Sequence, residues 1–302
     1  MFNFHSKSIQ NLYLNQTHKI SVMGLFGKSN DDKKLDLFNK GESLLKLERY
    51  EEALPYFRKA IELDPEHTDS YLSMVMICNK LEMFEHIPDI TDRIILIDNA
   101  YHPDMVLGAK CLALAHLGRF EEILPCSEIL IECYPEQQAG WKYKGLALTN
   151  LKRYEESLEY LDEAVNLDPT SSDSLSMLSK TLSFLERYEE AIACCDQLIK
   201  LNPNDVGALD DKFIFLYALE RYEESIACCD QLIKLNPEFQ NAKGNMLFDK
   251  LQKYEEALVC FDEVIRFNPK NSNGWYNKGK TLAELGRDDE AKQCFTKAKD
   301  LD

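Results

Sequence analysis

The chain has 302 residues, 45% of them apolar and 29% charged, so a buried core is within reach and wholesale disorder is not expected. Lys and Arg number 35 against 52 Asp and Glu, a net charge of -17 that argues against nucleic acid, because binding phosphates needs a basic footprint. No apolar run reaches ~18 residues, so no stable membrane insertion is expected, and the scarcity of Gly (12) and Pro (10) disfavours a turn-rich all-β chain.

Residues 1–33 mix Phe2, Phe4, Ile9, Leu12 and Tyr13 with Asn, Gln, Ser and Lys. The expectation is a disordered N-terminal segment, with a short amphipathic helix over 9–20 as the alternative. Met23-Gly24-Leu25-Phe26-Gly27-Lys28 reads as a natural chain start, which makes residues 1–22 a candidate over-extension of the reading frame. No continuous apolar run or small-residue cleavage site marks a secretory leader, so the Asn15-Gln16-Thr17 sequon carries no weight. Gly24-x-x-Gly27-Lys28-Ser29 half-resembles a phosphate loop, but Val22 stands at the first Gly and no strand precedes it. Met23-Gly24 resembles an acylation start with Lys28 where Ser or Thr is required.

From residue 34 onward the chain repeats itself. Residues 185–203 and 219–237 agree at eighteen of nineteen positions, 34 residues apart. An aromatic followed by an acid recurs at Tyr50, Phe84, Phe120, Tyr154, Tyr188, Tyr222 and Tyr254, with Asp288 in the eighth slot, and prolines close units at Pro65, Pro135, Pro169, Pro203, Pro237 and Pro269. Eight units follow: 34–67, 68–101, 104–137, 138–171, 172–205, 206–237, 238–271 and 272–302. In the fourth, Trp141, Leu148 and Leu151 share a face of a first helix with Gly145, and Leu158, Leu161, Ala164 and Val165 stripe a second. The Glu-Glu pair after six of the seven aromatics (Glu85-His86 follows Phe84) places carboxylates at a helix N-terminus, a solvated and dipole-compensating edge. Small residues recur where the two helices approach, at Gly41, Gly145 and Gly279 on first helices and Ala53, Ala191, Ala257 and Ala291 on second helices.

Trp141-x2-Lys144-Gly145-x2-Leu148, Trp275-x2-Lys278-Gly279-x2-Leu282, Ala53-x3-Phe57, Ala257-x3-Phe261 and Ala291-x3-Phe295 resemble the tetratricopeptide-repeat (TPR) pattern over residues 34–302. The resemblance implies an all-α fold, a TPR-type α-solenoid in which antiparallel helix pairs form a right-handed superhelix. Four departures stand out. Unit two carries Val75, Ile87 and Ile94 at small positions. Two extra residues fall near 102–103, unit six has Phe213 at the Gly slot, and unit seven is two residues short before Lys243. Splayed or rotated pairs are expected there, and bends at Pro55, Pro88 and Pro125. Lys292 and Lys299 replace the apolar stripe of the last helix, the polar outer face expected of a terminal cap.

The ten cysteines form no CxxC and no zinc-ligand spacing, and read as reduced core thiols in a cytoplasmic protein. His67, His86, His102 and His116 have no ligand spacing, and no Ser elbow, HExxH or dinucleotide turn appears. The chain is therefore expected to be no enzyme, with no catalytic residue, cofactor or metal. What remains is a concave groove lined by first helices. The resemblance implies a scaffold or adaptor that binds a peptide segment of a partner protein there. By repeat register the groove residues are Asn79, Leu112, His116, Lys142, Tyr143, Leu146, Asn150, Met177, Lys180, Asp210, Asp211, Ile214, Lys243 and Asn277. Binding is expected to centre on units three to five. A chaperone C-terminal tail is not expected, since Leu146 stands where the two-carboxylate clamp needs Asn and Lys243-Gly244-Asn245 counts out of register. The alternatives are a regulatory or substrate-recruiting arm of a separate enzyme such as a transferase, and a self-associating array.

Overall fold

The computed structural model describes residues 29–301; the expectations for residues 1–28 lie outside the described residues. Among the described residues are sixteen α-helices, two 3-10 turns and no strand. The chain divides into two compact units, one ending at Tyr134 and the other beginning at Pro135. In the first, α1 (Asn30–Lys46) pairs with α2 (Tyr50–Leu63), α3 (Thr68–Lys80) with α4 (Ile87–Ile97), and α5 (Pro103–His116) with α6 (Phe120–Cys133). In the second, α7 (Gln138–Asn150) pairs with α8 (Tyr154–Leu167), α9 (Ser172–Phe184) with α10 (Tyr188–Leu201), and α11 (Val206–Ala218) with α12 (Tyr222–Leu235). There α13 (Gln240–Asp249) also pairs with α14 (Tyr254–Phe267), and α15 (Ser272–Glu284) with α16 (Asp288–Leu301). Within each unit every second helix also packs on the first helix of the next pair, so each unit is a solenoid stack.

α1 begins at Asn30, four residues ahead of the repeat register. Asp32 N donates to Ser29 Oγ at 3.1 Å and Ser29 N donates back to Asp32 Oδ2 at 3.3 Å, a capping box. Residues 30–33, expected in the disordered segment, are therefore helical, and the Ser29 of the phosphate-loop-like string is a helix cap.

Every turn from a first to a second helix uses one device. The chain passes through the left-handed region at Glu48, Glu82, Gly118, Lys152, Glu186, Glu220, Gln252 and Gly286, with φ between 52° and 71°. That geometry lets the following amide reach back five residues, as in Arg49 N to Leu44 O at 3.0 Å and Arg187 N to Leu182 O at 3.0 Å, and so satisfies carbonyls left open at the helix end. The arginine that follows then forks onto a glutamate three residues on. Arg49–Glu52, Arg119–Glu122, Arg153–Glu156, Arg187–Glu190, Arg221–Glu224 and Arg287–Glu290 all pair at 2.6 to 2.8 Å. The last acid of each of these Glu-Glu or Asp-Asp-Glu runs is therefore engaged rather than merely solvated.

The crossing of each pair is built by complementary sizes. A Cβ on Gly41, Gly145, Gly244 or Gly279 would come within 2.6 to 2.7 Å of Phe57, Leu161, Phe261 and Phe295 respectively, so a large side chain on the second helix fills the space the glycine leaves. In α9 and α10 the same slot holds Ser179 against Cys195, whose Oγ and Sγ lie 3.4 Å apart. The register sets Val75 opposite Thr91, Cys111 opposite Ser127 and Phe213 opposite Cys229, so no two bulky side chains meet at a crossing. This removes the splay expected of unit six. Ser225 Oγ donates to Phe213 O at 2.9 Å, against 2.8 Å for the equivalent Ser157 Oγ to Gly145 O, so the phenylalanine is accommodated by its small partner without parting the backbones.

The other irregularities are absorbed at helix ends. Val75, Ile87 and Ile94 are buried, and unit two adapts by starting its second helix with a 3-10 turn, Phe84–His86. Pro88 thereby falls in the first turn of α4, where no intrahelical amide is lost, and the bend expected there has no cause. The two-residue insertion ends in His102, at φ 42°, just before α5. In unit seven a 3-10 turn, Pro237–Phe239, leads into a ten-residue α13, and Lys253 N reaches Leu247 O six residues back instead of five. That extra residue in the turn returns Gly244 to the crossing against Phe261. Lys243-Gly244-Asn245 is therefore in register, contrary to the count along the sequence.

Candidate functional site

First-helix side chains fall into two sets according to their distance from the crossing residue. The residue just before it points at the preceding pair. Lys212, Lys243 and Lys278 there bind Asp196, Asp230 and Asp262 of the preceding second helix at 2.5 to 2.6 Å, and Lys110 binds Asp92 in the first unit. This ladder corrects the placement of Lys243. With Gly244 at the crossing, Lys243 joins repeats and does not line the groove. Where α9 carries the buried Leu178 at that position, Asp162 finds no lysine, and burial pushes its carboxyl up.

The other expected groove residues occupy the complementary positions. In the first unit, Asn79 and Leu112 are half-buried and Asn79 Oδ1 is buried without a hydrogen-bond partner. His116 is not held open for a ligand. Its ring stacks on Phe84 at 4.0 Å with 1° between the planes, a contact between successive repeats that Tyr154 and Phe184 reproduce at 4.8 Å in the second unit. In the second unit, Lys142 Nζ lies 5.3 Å from the Tyr143 ring centroid and 3.5 Å from Asp173. Leu146 is half-buried, and Asn150 Nδ2 donates to Leu146 O at 2.9 Å within its own helix. Met177 packs partly into the core while Lys180 is exposed. Burial pushes the carboxyls of Asp210 and Asp211 up; Lys180 draws Asp211 back, whereas Asp210 has no such neighbour. Asn277 Nδ2 donates to Asn241 Oδ1 at 3.2 Å and to Asn245 Oδ1 at 3.1 Å.

Around Ile214 the face deepens. A pocket of about 260 Å³ opens between α11 and α13, lined by Phe213, Ile214, Tyr217, Ala242, Asn245, Met246 and Asp249. In this unit the first helices α7 and α9, and likewise α13 and α15, touch, whereas α11 packs as closely on neither α9 nor α13. Of the lining only Ile214 is among the expected residues; Asn245 and Asp249 were hidden by the register slip of unit seven, whereas Tyr217, four residues past Phe213 in unit six, holds the register position of Asn79 and was passed over. The inserted turn residue before Tyr254 was the signal that could have exposed it.

All ten thiols are free and only Cys133 is exposed. Burial pushes Cys194 up to about 11 and Cys195 and Cys229 up to about 12. Hydrogen bonding between Cys111 and Cys126 raises the first and draws the second down to about 7. No cluster of His, Cys, Asp or Glu suited to a metal ion, and no helix long and apolar enough to cross a membrane, is present among the described residues.

Family models described as "Tetratricopeptide repeat" match residues 37–67, 238–271 and 260–293, and one described as "Psidin, N-terminal TPR repeats region" matches residues 124–242. No curated protein matches the sequence. Among solved structures, the pilF protein of Pseudomonas aeruginosa is similar over 70% of this chain and 95% of its own, at 18% identity and a TM-score of 0.55. MamA from Desulfovibrio magneticus RS-1 is similar over 58% and 97%, at 18% identity and TM-score 0.54. YrrB, described as a TPR protein with an unusual peptide-binding site, is similar over 58% and 90%, at 22% identity and TM-score 0.51. These likenesses are of fold. Together with the repeat matches along the chain and the sixteen paired helices, they lead to one conclusion: the chain belongs to the tetratricopeptide-repeat family.

Proposed function

We propose that the chain is a non-catalytic scaffold that binds a peptide segment of a partner protein on the first-helix face of residues 135–301, in a reducing, cytoplasmic setting. The observation that carries the reading is the make-up of the first-helix face. Second helices of this unit also expose single apolar residues such as Leu201, Val259 and Phe267, but the first helices set Phe184, Ile214 and Tyr217 on one face with Lys180, Asp210 and Asp211 and with the pocket between α11 and α13. A face that combines rigid apolar anchors with separated charges suits an extended or helical peptide. YrrB's description as peptide-binding makes the reading concrete for a fold of this kind. Nine buried free thiols support the reducing compartment.

The test is affinity capture with the full chain, followed by titration of the captured partner. Tyr143→Ala with Lys142→Ala is expected to weaken binding at least about tenfold, ~1.4 kcal/mol, with helicity unchanged. Glu155→Gln with Glu156→Gln, on the second-helix edge, should leave it nearly intact. The reverse pattern would move binding to the acidic edge and sink the groove reading.

A further inference from the structure

The pocket between α11 and α13 differs from the rest of the first-helix face in two ways. Its walls are apolar, formed by Phe213, Ile214, Tyr217 and Met246, and its polar lining is Asn245 and Asp249. It opens beside an irregular helix: α13 has ten residues where the other first helices of this unit have thirteen, the 3-10 turn Pro237–Phe239 standing in place of their first turn. An apolar hollow of about 260 Å³, just under the ~300 to 1,000 Å³ of ligand pockets, suits one large side chain.

Charge says what adjoins that side chain. Asp210 lies one helical turn from Ile214 on the same stripe of α11, and Asp249 lines the pocket from the opposite wall. Neither carboxylate has a cation. The lysines on these two helices, Lys212 and Lys243, are turned away and spent on Asp196 and Asp230. Lys250, next to Asp249 in sequence, sits over the rings of Tyr217 and Tyr222 at 5.4 and 5.9 Å. Asp210 is half-buried with nothing to offset its charge, an arrangement that a ligand cation would relieve.

We propose that this pocket anchors one aromatic or large aliphatic side chain of a partner peptide flanked by Lys or Arg, one cation being received by Asp210 on the α11 side and the other by Asp249 on the α13 wall. The inference rests on the peptide-scaffold reading and sharpens it to a partner segment that is basic and apolar together.

The test uses the full chain and three fluorescein-labelled twelve-residue peptides on a Gly/Ser background, read by fluorescence polarisation. The first carries Lys-Phe-Lys, the second Glu-Phe-Glu and the third Lys-Gly-Lys. The first should bind at least tenfold tighter than either other, and Ile214→Ala or Asp210→Asn with Asp249→Asn should each weaken it by about tenfold. Ile214 is 48% exposed, so its truncation leaves the core intact, which circular dichroism checks. Equal binding of the first two peptides, or no binding of the first, overturns the inference. If the first binds and only Tyr143→Ala with Lys142→Ala abolishes it, the groove reading stands and the pocket assignment falls. If only Glu155→Gln with Glu156→Gln abolishes it, both fall. A parent chain that is dimeric, and that Ile214→Ala makes monomeric, would put a second copy in the pocket and overturn the peptide assignment.

Discussion

Glu186 shows how much of this protein is decided by single backbone positions. It sits at φ 57° in the turn between α9 and α10, where the left-handed conformation lets Arg187 N close on Leu182 O. A residue with Cβ pays roughly 1–2 kcal/mol for that region, and a β-branched one fits worst. Glu186→Gly should therefore change stability by no more than about 1 kcal/mol, since relief of strain and added chain entropy oppose one another. Glu186→Val should lose a further ~1–2 kcal/mol by denaturant unfolding; a valine variant as stable as the parent would mean that the turn relaxes out of the left-handed region. Gly118 and Gly286 announce this turn in the sequence, whereas Glu, Lys and Gln at the six other equivalents conceal it. Local pattern could not have placed those residues in the left-handed region, because what holds them there is the back-reaching amide at the helix end.

At the scale of the helix pair, the crossing contact was half legible. Glycines at 41, 145 and 279 marked it, but Cys195 and Cys229 read as neutral core filler and Phe213 as a disruption. The pattern emerges only when both helices are read together, because what the contact excludes is a bulky residue on both sides at once. Gly145→Ala should cost roughly 1–3 kcal/mol by overpacking against Leu161, whose Cγ lies 2.6 Å from the added carbon. Adding Leu161→Cys to Gly145→Ser reproduces the Ser179–Cys195 arrangement and should recover most of the loss. Thermal melts of the three variants decide this, and a double variant worse than the sum of its parts would mean that the slots are not interchangeable. The groove was less legible than the core for a related reason. Register counted from Tyr254 misplaces unit seven by one residue, and on a helix one residue is about 100° of rotation. That error put the ladder residue Lys243 where Ala242 lines the pocket, and set the pocket residue Asn245 at the crossing.

For the molecule as a whole, the acid excess of -17 is tempered by the repeated arginine forks. Hydrogen bonding to arginine holds Glu52, Glu122, Glu156, Glu190, Glu224 and Glu290 below the usual glutamate value near 4.5. A depressed carboxylate contributes stability that is present above its unfolded value and lost as pH falls through its folded value. Arg153→Gln with Arg187→Gln should therefore melt below the parent at pH 7, and the gap should close as pH drops from about 4.5 toward 3. Salt should narrow it too, because these pairs are on the surface. A gap independent of pH would assign the effect to lost packing by the arginine stems.

The helices α10 and α12 are the same fourteen residues but for Ala191 and Ser225, and each opposes its first helix with a cysteine. Ser179 and Phe213 both accept that partner, so identity in this stretch is written on the first helices alone and the second helices are interchangeable parts. The array is thus open to change by whole modules. Excising residues 188–221 would join Arg187 to Tyr222 and hand α9 a partner chemically equivalent to its own. The seven-repeat product should fold to a helical chain that unfolds at lower denaturant than the parent, having lost one repeat and one junction. The same equivalence gives the full-length chain a competing route in which α12 docks on α9 and the intervening 34 residues are looped out, a trap expected of near-identical neighbours. Refolding kinetics should therefore show a slow phase that disappears in the excised chain.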